Sequence, residues 1–462
     1  MKKLSFVSID QSIFSDTAFI RVALCGLTLI STCLTFGSVS DDEKKPTNSP
    51  LLGGESTFIW QWLPSFRSPY EGVNSLSPKA QGRLSDTYTM FLGHRFGKSF
   101  DVYLNPEMAR GGGIGDAVGL GGFTNGDVIR NPTLGQDPYI ARAFVRWTSP
   151  LGTETDAVET GPNQIAGKRT KKRIMVTAGK LGTNDIFDTN AYANSTRTQF
   201  MNWTLINNGA YDYAADTRGY TEGAIVEWVN PAWTLRFGSL LMPKEANGIE
   251  LDGHVKDSRG DQVELESHPK LRKGLPDSTV RYMAYRNFAS MGDYRQAIAQ
   301  APVGGVPDIT ATRQRGRIKY GFGLNIEQPI ADDGETGLFA RLGWCDGRTE
   351  SFAYTEVDDH LSFGMQISGK RWHRPGDAIG LAFVSDGLSA PHRDYLAAGG
   401  QGFLLGDGRL NYGRESILEA YYAKKLGDAW KATLDFQSIL NPGYNTDRGP
   451  VFIISARLHY EF

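Results

Sequence analysis

Between Phe452 and Phe462 every second residue is apolar or aromatic: Phe452, Ile454, Ala456, Leu458, Tyr460 and Phe462 alternate with Ile453, Ser455, Arg457, His459 and Glu461. Strand side chains point alternately to opposite faces, so this segment reads as a β-strand with one apolar and one largely polar face. Its length suits the roughly 9–11 residues that a tilted strand needs to cross a bilayer. A soluble edge strand can carry the same pattern, so the decision rests on whether the rest of the chain repeats it.

The chain repeats it many times. Period-two segments fall at 55–63, 85–96, 99–106, 139–148, 171–180, 219–229, 232–242, 259–267, 278–288, 317–328, 336–346, 360–369, 377–386, 415–425, 429–438 and 451–462. Three are especially regular. Ile318, Tyr320, Phe322, Leu324 and Ile326 alternate with Lys319, Gly321, Gly323, Asn325 and Glu327. Leu361, Phe363, Met365 and Ile367 alternate with Ser362, Gly364, Gln366 and Ser368, and Trp430, Ala432, Leu434 and Phe436 with Lys431, Thr433, Asp435 and Gln437. No stretch after residue 40 offers the ~18 consecutive apolar residues of a membrane helix. In a bilayer such a chain has one alternative, a closed barrel that pairs every backbone polar group.

The connections alternate in length. Segments 64–84, 107–138, 181–218, 243–258, 289–316, 347–359, 387–414 and 439–450 are mostly long, whereas those around Gly97-Lys98, Asn230-Pro231 and Gly427-Asp428 are tight turns. Long external loops and short periplasmic turns are the asymmetry of outer-membrane barrels. Segment 149–170 breaks the rule: it is a periplasmic connection by count, yet it is long. The expected fold is an all-β, 16-stranded antiparallel transmembrane barrel, an outer-membrane porin, spanning 55–462.

A barrel of sixteen strands has a water-filled lumen. A basic side chain facing lipid at mid-bilayer costs about 2–4 kcal/mol, so charged positions mark the lumenal face. By that criterion Arg142, Arg146, Glu264, Glu266, Arg317, Lys319 and Arg341 point inward. The longest external loop holds Asp185, Asp188, Arg197, Trp203 and Asp212 among further aromatics and amides. Aromatic rings cover the apolar faces of a pyranose, while carboxylates and guanidinium groups bond its hydroxyls. Folded inward, that loop would constrict the pore; left outside, it would pack on its neighbours. These twelve residues are the pore-lining or constriction candidates.

Residues 1–40 read as an export signal peptide, with Lys2 and Lys3, a mostly apolar stretch from Val22 to Gly37, and Ser38-Val39-Ser40 as the cleavage site. Residues 41–54 form a polar N-terminal segment. Cleavage removes Cys25 and Cys33 and leaves Cys345 alone, so no internal disulfide is expected. The net charge is −2, which excludes the basic footprint of a nucleic-acid partner.

Other chemistry finds little purchase. The Gly-rich segment 107–138 lacks phosphate-cradle spacing, and no G-x-S-x-G elbow occurs. The seven His are scattered without an H-E-x-x-H pair. Glu356-Val357-Asp358-Asp359-His360 is the best acidic cluster for a hard divalent cation, but it reads first as a solvated loop. No metal site, catalytic residue or cofactor is expected.

Three stretches resemble a known family: Gly121-Gly122-Phe123-Thr124-Asn125-Gly126; Gln199 to Trp203 leading to Gly209 through Asp216; and Tyr395 to Phe403 continuing through Gly406 to Tyr412, with Glu415, Glu419 and Tyr421 following. These resemble the carbohydrate-selective porins of the OprB type, including their manganese-porin branch. The resemblance runs from about residue 55 to the end. It implies an outer-membrane channel, embedded in lipid and lipopolysaccharide, that passes monosaccharides by diffusion without a bound cofactor. It also implies handling by the barrel-assembly machinery through the C-terminal strand. It carries over no selectivity residue and no oligomeric state. Two alternatives stand beside it: a channel for manganese or another divalent cation, and an outer-membrane enzyme or adhesin.

Overall fold

The computed structural model describes residues 50–128, 134–353 and 355–462; the expected signal peptide and most of the polar segment after it lie outside them. Its strands, in chain order, are β1 (Leu51–Leu63), β2 (Gln81–Phe96), β3 (Phe100–Gly111), β4 (Tyr139–Pro150), β5 (Thr155–Val158) and β6 (Gly167–Thr170). They continue as β7 (Arg173–Leu181), β8 (Thr221–Asn230), β9 (Trp233–Leu241), β10 (Arg259–Ser267), β11 (Thr279–Met291) and β12 (Gln314–Ala331). The last six are β13 (Thr336–Cys345), β14 (Asp359–Ser368), β15 (Ala378–Gly387), β16 (Glu415–Leu426), β17 (Trp430–Leu440) and β18 (Val451–Glu461). Among the described residues three short α-helices lie in connections: α1 (Trp203–Ile206), α2 (Tyr294–Gln300) and α3 (Ala390–Ala397).

All strands except β5 and β6 join in one closed antiparallel barrel of sixteen, each expected segment supplying one. The seam pairs β1 with β18 from Glu55↔Glu461 to Trp62↔Ile454. The wall therefore has no free edge, which is what a bilayer demands of a sheet. Alternation sets the register of every strand. On β17, Leu434 is 67% exposed and Thr433 is 3%. On β18, Phe452, Ile454 and Leu458 face outward, while Ile453, Ser455, Arg457 and His459 are buried inside.

Aromatic pairs cluster on the outside near the short turns, including Phe96–Phe100, Trp228–Trp233 and Trp430–Tyr460, with ring centroids 6.4, 5.1 and 4.6 Å apart. Such rings suit the boundary between acyl chains and headgroups. Turns at this rim are tight, with Gly97 and Gly427 at positive φ, a conformation that glycine adopts without a Cβ clash. This rim is the periplasmic one.

Two departures from expectation matter for the lumen. Strand β3 runs on to Gly111, so Glu107 belongs to the wall and not to a loop. The long connection between β4 and β7 carries its own hairpin, β5 paired with β6 from Thr155↔Thr170 to Val158↔Gly167. Cys345 is buried and unbridged.

A loop-narrowed passage as candidate functional site

The connection 182–220 between β7 and β8 lies inside the barrel, with Phe187, Phe200, Leu205, Tyr211 and Tyr213 all buried. It is seated chiefly on the wall from β10 around to β18, and further bonds reach β1 to β4 through Arg197, Tyr220 and Asp185. On β10, Glu264 accepts the Asp188 backbone N–H (2.8 Å). On β11, Tyr285 Oη donates to Ala210 O (2.7 Å) and Asn287 Nδ2 to Asp212 O (2.5 Å). Lys319 on β12 pairs with Asp212 (3.1 Å). Arg341 on β13 pairs with Asp188 (3.2 Å) and donates to Leu205 O and Ala193 O (2.8 and 2.9 Å). Glu419 on β16 accepts from the backbone N–H groups of Met201 and Asn202 (2.5 and 3.0 Å), and Arg457 on β18 donates to Gln199 O (2.8 Å).

Wall glycines make room for the loop. A Cβ at Gly337 would run into the Tyr192 ring, and one at Gly343 into the Asn208 amide. Connection 112–138 also turns inward in its described part. The backbone N–H groups of Gly121 and Gly122 donate to the Glu415 carboxylate (3.2 and 2.7 Å), which also takes Gly443 N–H (2.7 Å). The Gly pair thus serves close backbone approach. The family-marker residues converge here: Glu415, Glu419 and the Phe200–Tyr421 ring pair, 4.9 Å apart and edge to face, fasten the two inserted loops.

With one side of the lumen filled, a cavity of about 690 Å³ remains along the other, lined by β1 to β4, β7 to β9 and the free face of the loop. Its middle is a net of paired charges. Glu107 accepts from Thr89 Oγ1 (2.6 Å), Tyr139 Oη (2.7 Å), Tyr220 Oη (2.6 Å) and Arg197 Nη2 (3.2 Å). Arg197 also binds Asp127 (2.7 Å) and Glu55. Arg142 forms a two-pronged pair with Asp185 (2.6 and 2.7 Å) and lies 5.1 Å over the Tyr220 ring. Arg236 joins Glu227, Glu264 and Glu266 (3.0, 2.8 and 3.0 Å). Arg218 covers the Tyr139 ring at 4.0 Å. Arginine forks on carboxylates and rings make a rigid polar wall that can trade hydrogen bonds with hydroxyls.

The expected residues therefore divide. Arg142, Arg146, Asp185, Arg197 and Trp203 line the cavity. Asp188, Asp212, Glu264, Lys319 and Arg341 are 0–4% exposed and fasten the loop; Glu266 serves the Arg236 and Arg281 pairs (3.0 and 2.8 Å). Arg317 is drawn aside to Gln296 of α2 (2.9 Å) because its strand end lies beside that helix.

The acidic run is no solvated loop. Glu356 takes the N–H groups of Leu404 and Leu405 (2.8 and 2.7 Å), Asp358 pairs with His392 (2.9 Å), and His360 with Asp386 (2.6 Å), all buried. Among the described residues no group of three or more His, Cys, Asp or Glu is arranged to hold a metal ion.

Sequence reading missed Glu55, Glu107, Asp127, Tyr139, Arg169, Tyr220, Glu227 and Arg236. Arg236 had a usable signal: a lone charge between Leu235 and Phe237, both exposed to lipid.

Residues 143–462, well over half of the chain, match the family model of the carbohydrate-selective porins, OprB family. This chain belongs to that family. It is an outer-membrane porin, and its sixteen-stranded barrel is the channel wall. Its fold is similar to that in the high-pH structure of Pseudomonas putida OprB, at 15% identity over 89% of this chain and 94% of that one, with a TM-score of 0.66. The outer-membrane channel DcaP of Acinetobacter baumannii overlays less well, at 8% identity over 92% of this chain and 100% of that one, with a TM-score of 0.48. A 111-residue stretch is 32% identical to an uncharacterized protein of Aquifex aeolicus (strain VF5), covering 19% of this chain and 36% of that protein. The chain thus spans about a third of that relative's length.

Proposed function

We propose that this porin passes monosaccharide-sized, hydroxyl-rich solutes by passive diffusion, with the constriction formed by the net that joins Glu107, Tyr139 and Arg142 of the wall to Asp185, Arg197 and Tyr220 of the loop. The supporting observation is the division of the lumen: the inserted loop fills one side and leaves a channel whose wall alternates phenol rings with guanidinium–carboxylate pairs. A cavity of about 690 Å³ is within the range of roughly 300–1,000 Å³ typical of small-ligand sites. Each carboxylate of that net is bonded to an arginine, which favours neutral polyols over a bare divalent cation, whose ligands are unpaired oxygens. The reading is one of transport without a chemical step.

Liposome swelling tests it. Reconstituted protein should admit glucose faster than a non-sugar solute of equal size. Swelling rates that follow size alone would remove the sugar preference while leaving a porin. A deletion strain that fails only under manganese limitation would favour the cation channel instead.

A further inference from the structure

Strand β8 passes to β9 through residues 231–232, yet 151–172 separate β4 from β7 on the same rim. The extra length is folded back to the lumen. Arg95 Nη1 donates to Ala166 O (3.3 Å) and Arg146 Nη1 to Asn163 O (3.1 Å), fastening the β5–β6 hairpin to the inner wall. Asn163, Gln164 and Arg169 consequently line the 690 Å³ cavity. A periplasmic turn contributes to the passage, which the usual short turns do not.

The hairpin is acidic on its first strand, with Glu154, Asp156 and Glu159, and uniformly basic along its second. Residues 167–173 hold Lys168, Arg169, Lys171, Lys172 and Arg173. Four acids of this region are already engaged. Asp101 takes both prongs of Arg95 (2.7 and 2.9 Å), Glu227 binds Arg236 (3.0 Å), and Glu154 and Asp156 flank Lys171 (3.7 Å each). Among the described residues, Arg146, Arg169 and Arg173 stand in no ion pair.

Arg146 is also pre-positioned. Its guanidinium lies 5.3 and 5.4 Å over the Tyr103 and Phe144 rings, with Nε toward Thr177 Oγ1 (3.4 Å) and Nη1 on Asn163 O, and no described residue accepts from Nη2. Burial and the neighbouring Arg146 hold the Arg169 pKa below the ordinary arginine value, as expected for like charges kept close. Guanidinium forks without a carboxylate match the planar geometry of an oxyanion.

We propose that the β5–β6 hairpin is a filter at the periplasmic exit, in which Arg146 and Arg169 form a subsite for the oxyanion, carboxylate or phosphate, of a small permeant. The subsite lies apart from the Glu107 net, and the proposal rests on the channel reading above.

Planar-bilayer recordings of the full-length protein test it. Inorganic phosphate should reduce conductance relative to chloride at equal ionic strength, and gluconate should do so more than glucose if the oxyanion is carried on a permeant. Arg169→Gln and the double variant R146Q/R169Q should raise the half-blocking phosphate concentration about tenfold, the loss of one charged hydrogen bond or more; Arg169→Lys should retain block. Because R146Q also removes a hairpin contact, R169Q alone is the cleaner variant. Replacing 154–171 with a short turn, which the other connections show a barrel tolerates, should abolish block while channels persist. Phosphate without effect on the wild-type channel, or equal block in R169Q, overturns the filter and leaves the porin standing. Protein that opens no channel overturns both.

Discussion

Arg341–Asp188 and Arg142–Asp185 are the same pair chemically and lie in the same lumen, at 3.2 and 2.6 Å. The first is 0% and 4% exposed by side chain, the second 17% and 33%. What separates them is their further bonds. Arg341 also holds the carbonyl oxygens of Leu205 and Ala193, so it grips the inserted loop. Among the described residues Arg142 bonds Asp185 and lies over the Tyr220 ring, at the edge of open space. The covered side, from β10 to β18, buries its charges against the loop; on the open side, from β1 to β9, the charged pairs with the loop border the cavity and are presented to whatever passes.

The strongest way to break this comparison is Arg341→Ala. Removing one partner of a buried pair costs about 3–5 kcal/mol, because the other charge is stranded. The loop should detach, single-channel conductance should rise severalfold, and protease should cut within 182–220. Unchanged conductance would show that the covered side does not hold the loop. Gly337→Val should act the same way but less, since overpacking costs about 1–3 kcal/mol; the Tyr192 ring must move, and an intermediate conductance is expected.

Asp185→Asn sharpens the other half. A partly exposed pair contributes about 0–1 kcal/mol, so stability should hold while the reversal potential in a salt gradient shifts toward anions. Asp188→Asn should instead loosen the loop. An unchanged reversal potential in Asp185→Asn would count against an ion path along that side.

The smallest expected effect is one of pH. Burial pushes the Glu356 carboxyl up to about 7, against the pull of His392 and the Leu404 and Leu405 N–H groups. With the loops seated, Glu356 keeps a proton that it loses when they open and its pKa returns to the ordinary carboxylate value. Seating therefore weakens as pH rises from that value through about 7, and is constant above. Limited proteolysis of 388–414 should be modestly faster at pH 8 than at pH 5. Glu356→Gln, which keeps a carbonyl acceptor, should flatten the difference.

All sixteen wall strands were legible in the sequence, because a misplaced charge on the lipid face is costly and the alternation cannot drift. Leu434 beside Thr433 records that pressure directly. The inward course of the loop was not legible. Asp185 and Asp188 are three residues apart in one polar, aromatic stretch, and nothing in their identity says that one meets water and the other Arg341. Its seat is read largely on peptide groups, as in Glu264 on Asp188 N–H and Glu419 on Met201 and Asn202 N–H. Peptide groups are common to every residue and leave no pattern. The hairpin at 149–170 was visible only as a violation of the turn-length rule, and its length carried the clue that Arg169 reaches the lumen.

Glu415 takes hold of Gly121, Gly122 and Gly443 by their amide hydrogens alone. A Cβ at Gly121 would run into Tyr444 and one at Gly122 into Ile417, so the clasp fixes those positions and leaves the opposite surface of the same ribbon open to substitution. A descendant of this chain can therefore exchange the residues that greet the solute, and with them its diet, without having to reinvent the fastening.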